Sequence, residues 1–223
     1  MQYPIQLNQI SAEKAIYTPD YEQVKHIYTS FLQLDPTTPF PFWAKLWPSS
    51  IALLDVLKAN PHLIQNKHVL EIGAGVGLPS LMMAGVAKSI QISDYDKEAV
   101  ALLQKNIEHL QIQNAEALQL DWNAIPENIQ PDVVLLSDVN YDPAQFDTLI
   151  TLIDKFMRQR SSIILSTPQR IMASPFVQKL EASIIERYEA MVDENGIQKE
   201  ISILSRDDEV QLGLLDLYTR MRL

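Results

Sequence analysis

The stretch His68-Val69-Leu70-Glu71-Ile72-Gly73-Ala74-Gly75-Val76-Gly77-Leu78-Pro79 decides how the chain folds. A short apolar run that ends in closely spaced glycines reads as a buried parallel strand turning sharply into a helix. The glycines follow the pattern G-x-G-x-G, and four of the chain's six glycines lie between Gly73 and Gly85, so they are concentrated at this turn. A backbone without Cβ atoms can bend tightly and let a ligand come close. A dinucleotide-binding loop places its third glycine one position later, where this chain has Leu78. Glu71 stands at the strand's carboxyl end. Its charge suits an ammonium group and would sit badly beside a diphosphate.

Outward from this turn, strands and helices alternate. Ser89–Ser93 reads as a second strand, and Asp96 then caps a helix whose apolar residues Val100, Leu103, Ile107 and Leu110 recur at helical spacing. Ala115–Leu120 and Asp132–Ser137 read as the third and fourth strands. Asp142-Pro143-Ala144-Gln145 has the cap, the first-turn proline and the capping-box glutamine of a helix start, followed by the stripe Phe146, Leu149, Ile153 and Phe156. A fifth strand, Ser162–Ser166, precedes a helix opened by Ser174-Pro175. The tail differs: Glu194-Asn195-Gly196 is a turn signal between Tyr188–Val192 and Ile197–Ser205, and Gln211–Arg220 reads as a last strand. Such an order specifies an α/β fold, doubly wound, with a mostly parallel seven-strand sheet and an antiparallel C-terminal edge.

Upstream of the turn, a helix is expected at Tyr21–Leu34, with the rest of the chain up to Pro41 irregular. A second helix, Ile51–Leu57, follows with Ser49 or Ser50 as its cap. We find no repeat, linker or low-complexity tract, so residues 1–223 are read as one domain. Within it, 1–41 form an N-terminal extension, 42–170 a cofactor-binding core, and 171–223 a C-terminal helix with antiparallel strands.

Composition narrows the function. With 47% hydrophobic and 21% charged residues, the 223-residue chain has the make-up of a soluble globular protein. The lack of cysteine excludes disulfides, thiolate metal sites and thiol nucleophiles. A net charge of −10 repels phosphate backbones, so nucleic acid is a poor partner. The histidines, His26, His62, His68 and His109, are scattered away from the expected site, and no metal centre is read from them. Without an apolar run of membrane-spanning length or a secretory leader, a cytoplasmic location is expected.

Two further strand ends carry acidic residues. Ser93-Asp94-Tyr95-Asp96 puts Asp94 directly after the second strand, where a carboxylate can accept ribose hydroxyls. Leu120-Asp121-Trp122-Asn123 puts a carboxylate and an indole after the third, suited to an adenine amino group and ring face. Together with Val69–Gly75, with Trp43 and Trp47-Pro48 before the leading helix, and with Ser137-Asp138-Val139-Asn140-Tyr141 after the fourth strand, these residues resemble the seven-strand protein lysine methyltransferases grouped as methyltransferase family 16. The similarity spans roughly Phe42 to Pro143. The N-terminal stretch and the tail after Pro168 match no family motif.

The resemblance implies S-adenosylmethionine as cofactor, bound by Trp47, Glu71, Gly73, Gly75, Gly77, Asp94, Tyr95, Asp121, Trp122 and Ser137. Asp138 and Tyr141 match the family's D-x-x-Y motif and are expected to be catalytic. Asp138 would orient an incoming ammonium, and Tyr141 would bond its nitrogen. A lysine acceptor, with an unperturbed pKa of about 10.4, must lose a proton before it attacks, to Asp138 or to water. The implied substrate is therefore a protein with an accessible lysine. Alternatives are a small-molecule or RNA N-methyltransferase, and, from another class, a non-catalytic module that keeps the cofactor fold. Arg170, in Thr167-Pro168-Gln169-Arg170, is expected to be a solvated loop residue.

Overall fold

The computed structural model describes residues 3–168, 171–181, 184–194 and 196–206. It begins with a hairpin of β1 (Ile5–Gln9) and β2 (Ala15–Pro19), then α1 (Tyr21–Leu34) and α2 (Pro48–Ala59). The alternating core follows: β3 (His68–Ile72), α3 (Leu78–Met83), β4 (Ser89–Asp94), α4 (Lys97–His109), β5 (Ala115–Gln119) and β6 (Val133–Ser137). It continues with α5 (Phe146–Arg158), β7 (Ser162–Pro168), α6 (Ser174–Leu180), β8 (Glu186–Glu194) and β9 (Ile197–Arg206).

Seven strands form one sheet in the order β5-β4-β3-β6-β7-β9-β8. The expected doubly wound architecture is borne out, with a refinement at its edge. β9 runs antiparallel to both neighbours, which leaves β8, the outermost strand, parallel to the core strands. β6 lies at the centre and is buried along its whole length. Its side chains alternate: Val133 and Leu135 pack with α2, α3 and α4 on one face, Val134 and Leu136 with α5 and α6 on the other. The chain winds one way from β3 to β5 and the other way from β6. The carboxyl ends of β3 and β6 therefore flank the crevice that such a reversal opens.

Local chemistry departs from the sequence reading at several points. The N-terminal stretch is not irregular, because β1 and β2 pair over five positions. The hairpin is held by Asn106 of α4, which accepts from the Tyr17 amide at 2.7 Å and donates to the Tyr17 carbonyl at 2.9 Å. That explains a fully buried asparagine in the face where α4 buries Ala99, Leu102, Leu103 and Ile107; Val100 and Leu110 are only half-buried. Neither Ser49 nor Ser50 caps α2. Pro48 takes the first position, where its missing N–H costs nothing, and Trp47 precedes it without a side-chain cap. Asp142 caps a single 3₁₀ turn, Pro143–Gln145, rather than α5, and Gln145 makes no capping-box bond. The strand expected at Gln211–Arg220 lies outside the described residues, as does Arg170.

The glycine turn also shapes the packing. Gly77 lies in the left-handed region at φ 74°, and a Cβ there would come within 2.3 Å of Leu103 Cδ2 and 3.2 Å of Ile92 Cγ2. Only glycine lets α4 and β4 close on the start of α3. Gly77→Ala is expected to destabilise the protein by about 2–4 kcal/mol, from left-handed strain plus overpacking. In urea unfolding the midpoint should fall at unchanged slope; an unmoved midpoint would show that Leu103 simply yields.

Candidate active site

A cleft of about 1310 Å³ opens over the carboxyl ends of β3, β4, β5 and β6. Ten of the twelve expected site residues line it: Trp47, Gly73, Gly75, Asp94, Tyr95, Asp121, Trp122, Ser137, Asp138 and Tyr141. Two do not. Gly77 serves packing, as its surroundings require. Glu71 is fully buried beneath the turn, away from the cleft wall.

Asp94 organises the floor. Its Oδ2 accepts from the Gly75 amide at 2.8 Å and its Oδ1 from the Asp96 amide at 2.9 Å. The carboxylate thus ties the glycine turn to the end of β4, and each oxygen keeps a lone pair for a ligand hydroxyl. Burial pushes its pKa up, and these amide bonds partly offset the rise. The turn needs its glycines from above as well. At Gly75 a Cβ would meet the Trp43 carbonyl oxygen at 3.0 Å, because the segment before α2 lies directly across it.

Asp121 accepts from the amide and the side-chain nitrogen of Asn123, at 2.9 and 2.8 Å, both through Oδ1. Trp122 is half-buried beside it, with Cζ3 3.6 Å from where a Gly73 Cβ would stand, so the indole walls the space over the turn. The Trp47 indole donates to the Phe42 carbonyl at 2.9 Å and carries the Lys45 ammonium 4.3 Å above its ring.

At the far wall, Asp138 is 7% exposed and sits at φ 55°, a left-handed conformation that side chains other than glycine adopt at a cost of about 1–2 kcal/mol. Its amide donates to the Ser166 carbonyl at 2.9 Å, which anchors the strained residue to β7. Tyr141 is held in its phenol form: burial raises its pKa most, followed by the charges of Asp94, Asp142 and Asp138. It can therefore donate or accept a hydrogen bond but is no tyrosinate base.

Several residues that the sequence reading left out join the site. Phe42 stacks on Tyr141 with ring centroids 5.0 Å apart. Asn140, 1% exposed, accepts from the Thr167 hydroxyl at 2.9 Å. The density of aromatics from Phe40 to Trp47 is the signal for the first; the second lies inside the Asp138–Tyr141 motif, where its position is its only signal. Six carboxylates line the cleft, those of Asp94, Asp96, Glu98, Asp121, Asp138 and Asp142, against the ammoniums of Lys45 and Lys97. Lys45 is further neutralised by Glu194 at 2.6 Å. Such a lining suits a cationic ligand and repels a diphosphate. No group of metal-binding side chains occurs among the described residues.

Residues 41–183 match the lysine methyltransferase family. The chain belongs to it. Among curated relatives, the protein N-terminal and lysine N-methyltransferase EFM7 of Cryptococcus neoformans var. neoformans is 28% identical over 169 residues, 69% of this chain and 54% of its own length. The histone-arginine methyltransferase METTL23 of Homo sapiens is 25% identical, covering 58% of this chain and 71% of its own length. The human electron transfer flavoprotein beta subunit lysine methyltransferase is 30% identical over 58% of this chain and 50% of its own length. This chain thus spans about half the length of the first and last. Among solved structures, the magnesium protoporphyrin IX methyltransferase of Synechocystis PCC 6803 with bound S-adenosylmethionine aligns at TM-score 0.55 and 16% identity, over 71% of this chain and 78% of its own; the likeness is one of fold.

Membership brings S-adenosylmethionine as the cofactor, and the site fits it. The bare turn leaves room, and the acidic lining complements a ligand with ammonium and sulfonium charges. Beneath the turn, the buried Glu71 carboxyl has the Ser80 hydroxyl and amide as its polar neighbours, in geometry too poor for full hydrogen bonds.

Burial pushes the Glu71 carboxyl up to about 7, a rise that Ser80 only partly counters. Between pH 4.5 and about 7 the folded protein keeps a proton that the unfolded chain releases. Stability from this group is therefore full below pH 4.5 and declines as pH rises through 7, by up to about 3 kcal/mol. Glu71→Gln should match the wild type in urea unfolding near pH 4 and exceed it at pH 8. Equal stability at both values would place the carboxylate in a better-solvated setting.

Proposed function

We propose that the protein is an S-adenosylmethionine-dependent methyltransferase that modifies a lysine side chain of another protein. One observation carries this reading: Asp138 and Tyr141 stand over the glycine turn in a single acidic cleft, at the reversal point of the sheet. The turn, Asp94, Asp121, Trp122 and Trp47 would hold the cofactor, with Glu71 adding charge from below once the pH passes about 7. The bound cofactor supplies an activated methyl group; the remaining work is positioning and electrostatics.

Asp138 would accept a hydrogen bond from the incoming ammonium and aim its nitrogen across the turn. Left-handed backbone at this position is the kind of strain that proteins store where geometry matters. Tyr141, kept protonated, would bond the same nitrogen and limit the space around it. The acidic lining draws the ammonium in and also resists its deprotonation. Transfer should therefore accelerate from pH 7 to pH 9, since only the free amine attacks. A phosphate-rich acceptor suits the same lining poorly. Relatives named for lysine and for N-terminal amines support a nitrogen acceptor on a protein.

Two experiments test the reading. Asp138→Ala should lower kcat by at least about 100-fold while S-adenosylhomocysteine affinity, read by calorimetry, moves by less than about threefold. Full activity in that variant would remove Asp138 from the acceptor site. With isotopically labelled cofactor and cell extract, label should enter a protein band that protease removes. Label confined to RNA or small molecules would favour those acceptors, and none at all a non-catalytic module.

A further inference from the structure

We propose that Phe42 selects the methyl acceptor: its ring joins that of Tyr141 in a wall that admits an alkyl-ammonium side chain and discriminates against a neutral one. The inference rests on the lysine reading above and names the residue that enforces it.

Phe42 is 43% exposed and Tyr141 42%, although rings of this size are mostly sealed in a folded protein. Their exposure is not random. Of the seven large apolar side chains left exposed among the described residues, four line this cleft, Phe42, Tyr95, Tyr141 and Met172, while Leu7, Leu34 and Met191 lie elsewhere. Phe42 touches Tyr141 more closely than it touches Trp47, at 5.0 against 6.4 Å between ring centroids. Its main commitment is therefore to the acceptor side rather than to the cofactor-side indole.

The ring is held in place by a relay of contacts. Phe40 meets it edge-on at 5.1 Å, and Phe40 is gripped in turn by Tyr28 at 4.9 Å and Tyr21 at 6.3 Å, both on α1. The Phe42 amide donates to the Phe40 carbonyl at 2.9 Å, and the Phe42 carbonyl accepts from Trp47. Pro39 and Pro41 restrict the backbone on either side of Phe40. A ring fixed this firmly yet left partly open presents a surface. The N-terminal segment, which sequence motifs leave unassigned, thereby braces one wall of the site.

The chemistry of that wall favours a cation. Aromatic faces carry negative potential and attract ammonium groups within about 6 Å. Asp94, Asp138 and Asp142 lie near enough to act on the Tyr141 hydroxyl, so the Tyr141 side of the ring pair faces carboxylates. A lysine can lay its methylene stem along the rings while its head reaches the carboxylates. A side chain of equal length without charge gains only the stem contact.

The test uses the full chain saturated with S-adenosylhomocysteine. Two probes are titrated, Nα-acetyl-lysine-N-methylamide and its neutral counterpart Nα-acetyl-norleucine-N-methylamide. All three tryptophans line the cleft, so their fluorescence reports binding. The wild type should prefer the lysine probe. Phe42→Ala should bind it about 5- to 30-fold more weakly, and Phe42→Tyr should restore it. Phe40→Ala, which removes only the support, should fall between. Unchanged lysine affinity in Phe42→Ala would overturn the proposal and leave the lysine reading standing. Loss of S-adenosylhomocysteine affinity in parallel with probe affinity would also overturn it, since the ring would then act only through Trp47. A wild type that binds both probes equally would sink the lysine reading and this inference together.

Discussion

The hydrogen bond from the Gly75 amide to Asp94 is the contact on which the site depends. It joins the carboxyl ends of two neighbouring strands inside the protein, where a charge-assisted bond is strong and an unmade one costly. With Asp94 fixed, the turn after β3 keeps its left-handed shape, and the Trp43 segment can lie across Gly75 from above. Gly77 then lets α3, α4 and β4 close beneath. Floor, roof and foundation of the cleft meet within five residues.

The cleft concentrates negative charge in a protein that is already acidic. Burying Glu71 with only poorly placed Ser80 groups beside it, and Asp94 with only amide partners, costs stability that the sheet's apolar packing must offset. The two hydrophobic layers around β6 supply it, since β6 is sealed on both faces. A cationic ligand would convert this unfavourable field into binding energy. The same field adds to burial, the larger cause, in keeping the proton on Tyr141.

The N-terminal forty-odd residues are more than an extension. Their hairpin is locked to α4 by Asn106, and their aromatic relay ends at the cleft mouth. They connect the outer surface of the fold to the side of the site where the acceptor is expected. Relatives of the family differ in acceptor while sharing the core. A wall braced by residues that precede the matched region is a physical means for such divergence.

The sequence by itself determined the fold class, the glycine turn and most of the cleft lining. Those features depend on local rules: apolar runs for buried strands, glycine where a Cβ has no room, and acidic residues at strand ends. It also found Asp96 as the cap of α4, because capping is settled within three residues. Only the tertiary structure decided the rest. It moved Glu71 and Gly77 out of the cleft wall, since direction at a strand end depends on what packs beneath. It paired β1 with β2 through a helix some ninety positions away in sequence, a contact that no local pattern encodes. It also set Phe42 against Tyr141, because stacking between side chains a hundred residues apart is fixed by how the sheet folds, not by either neighbourhood.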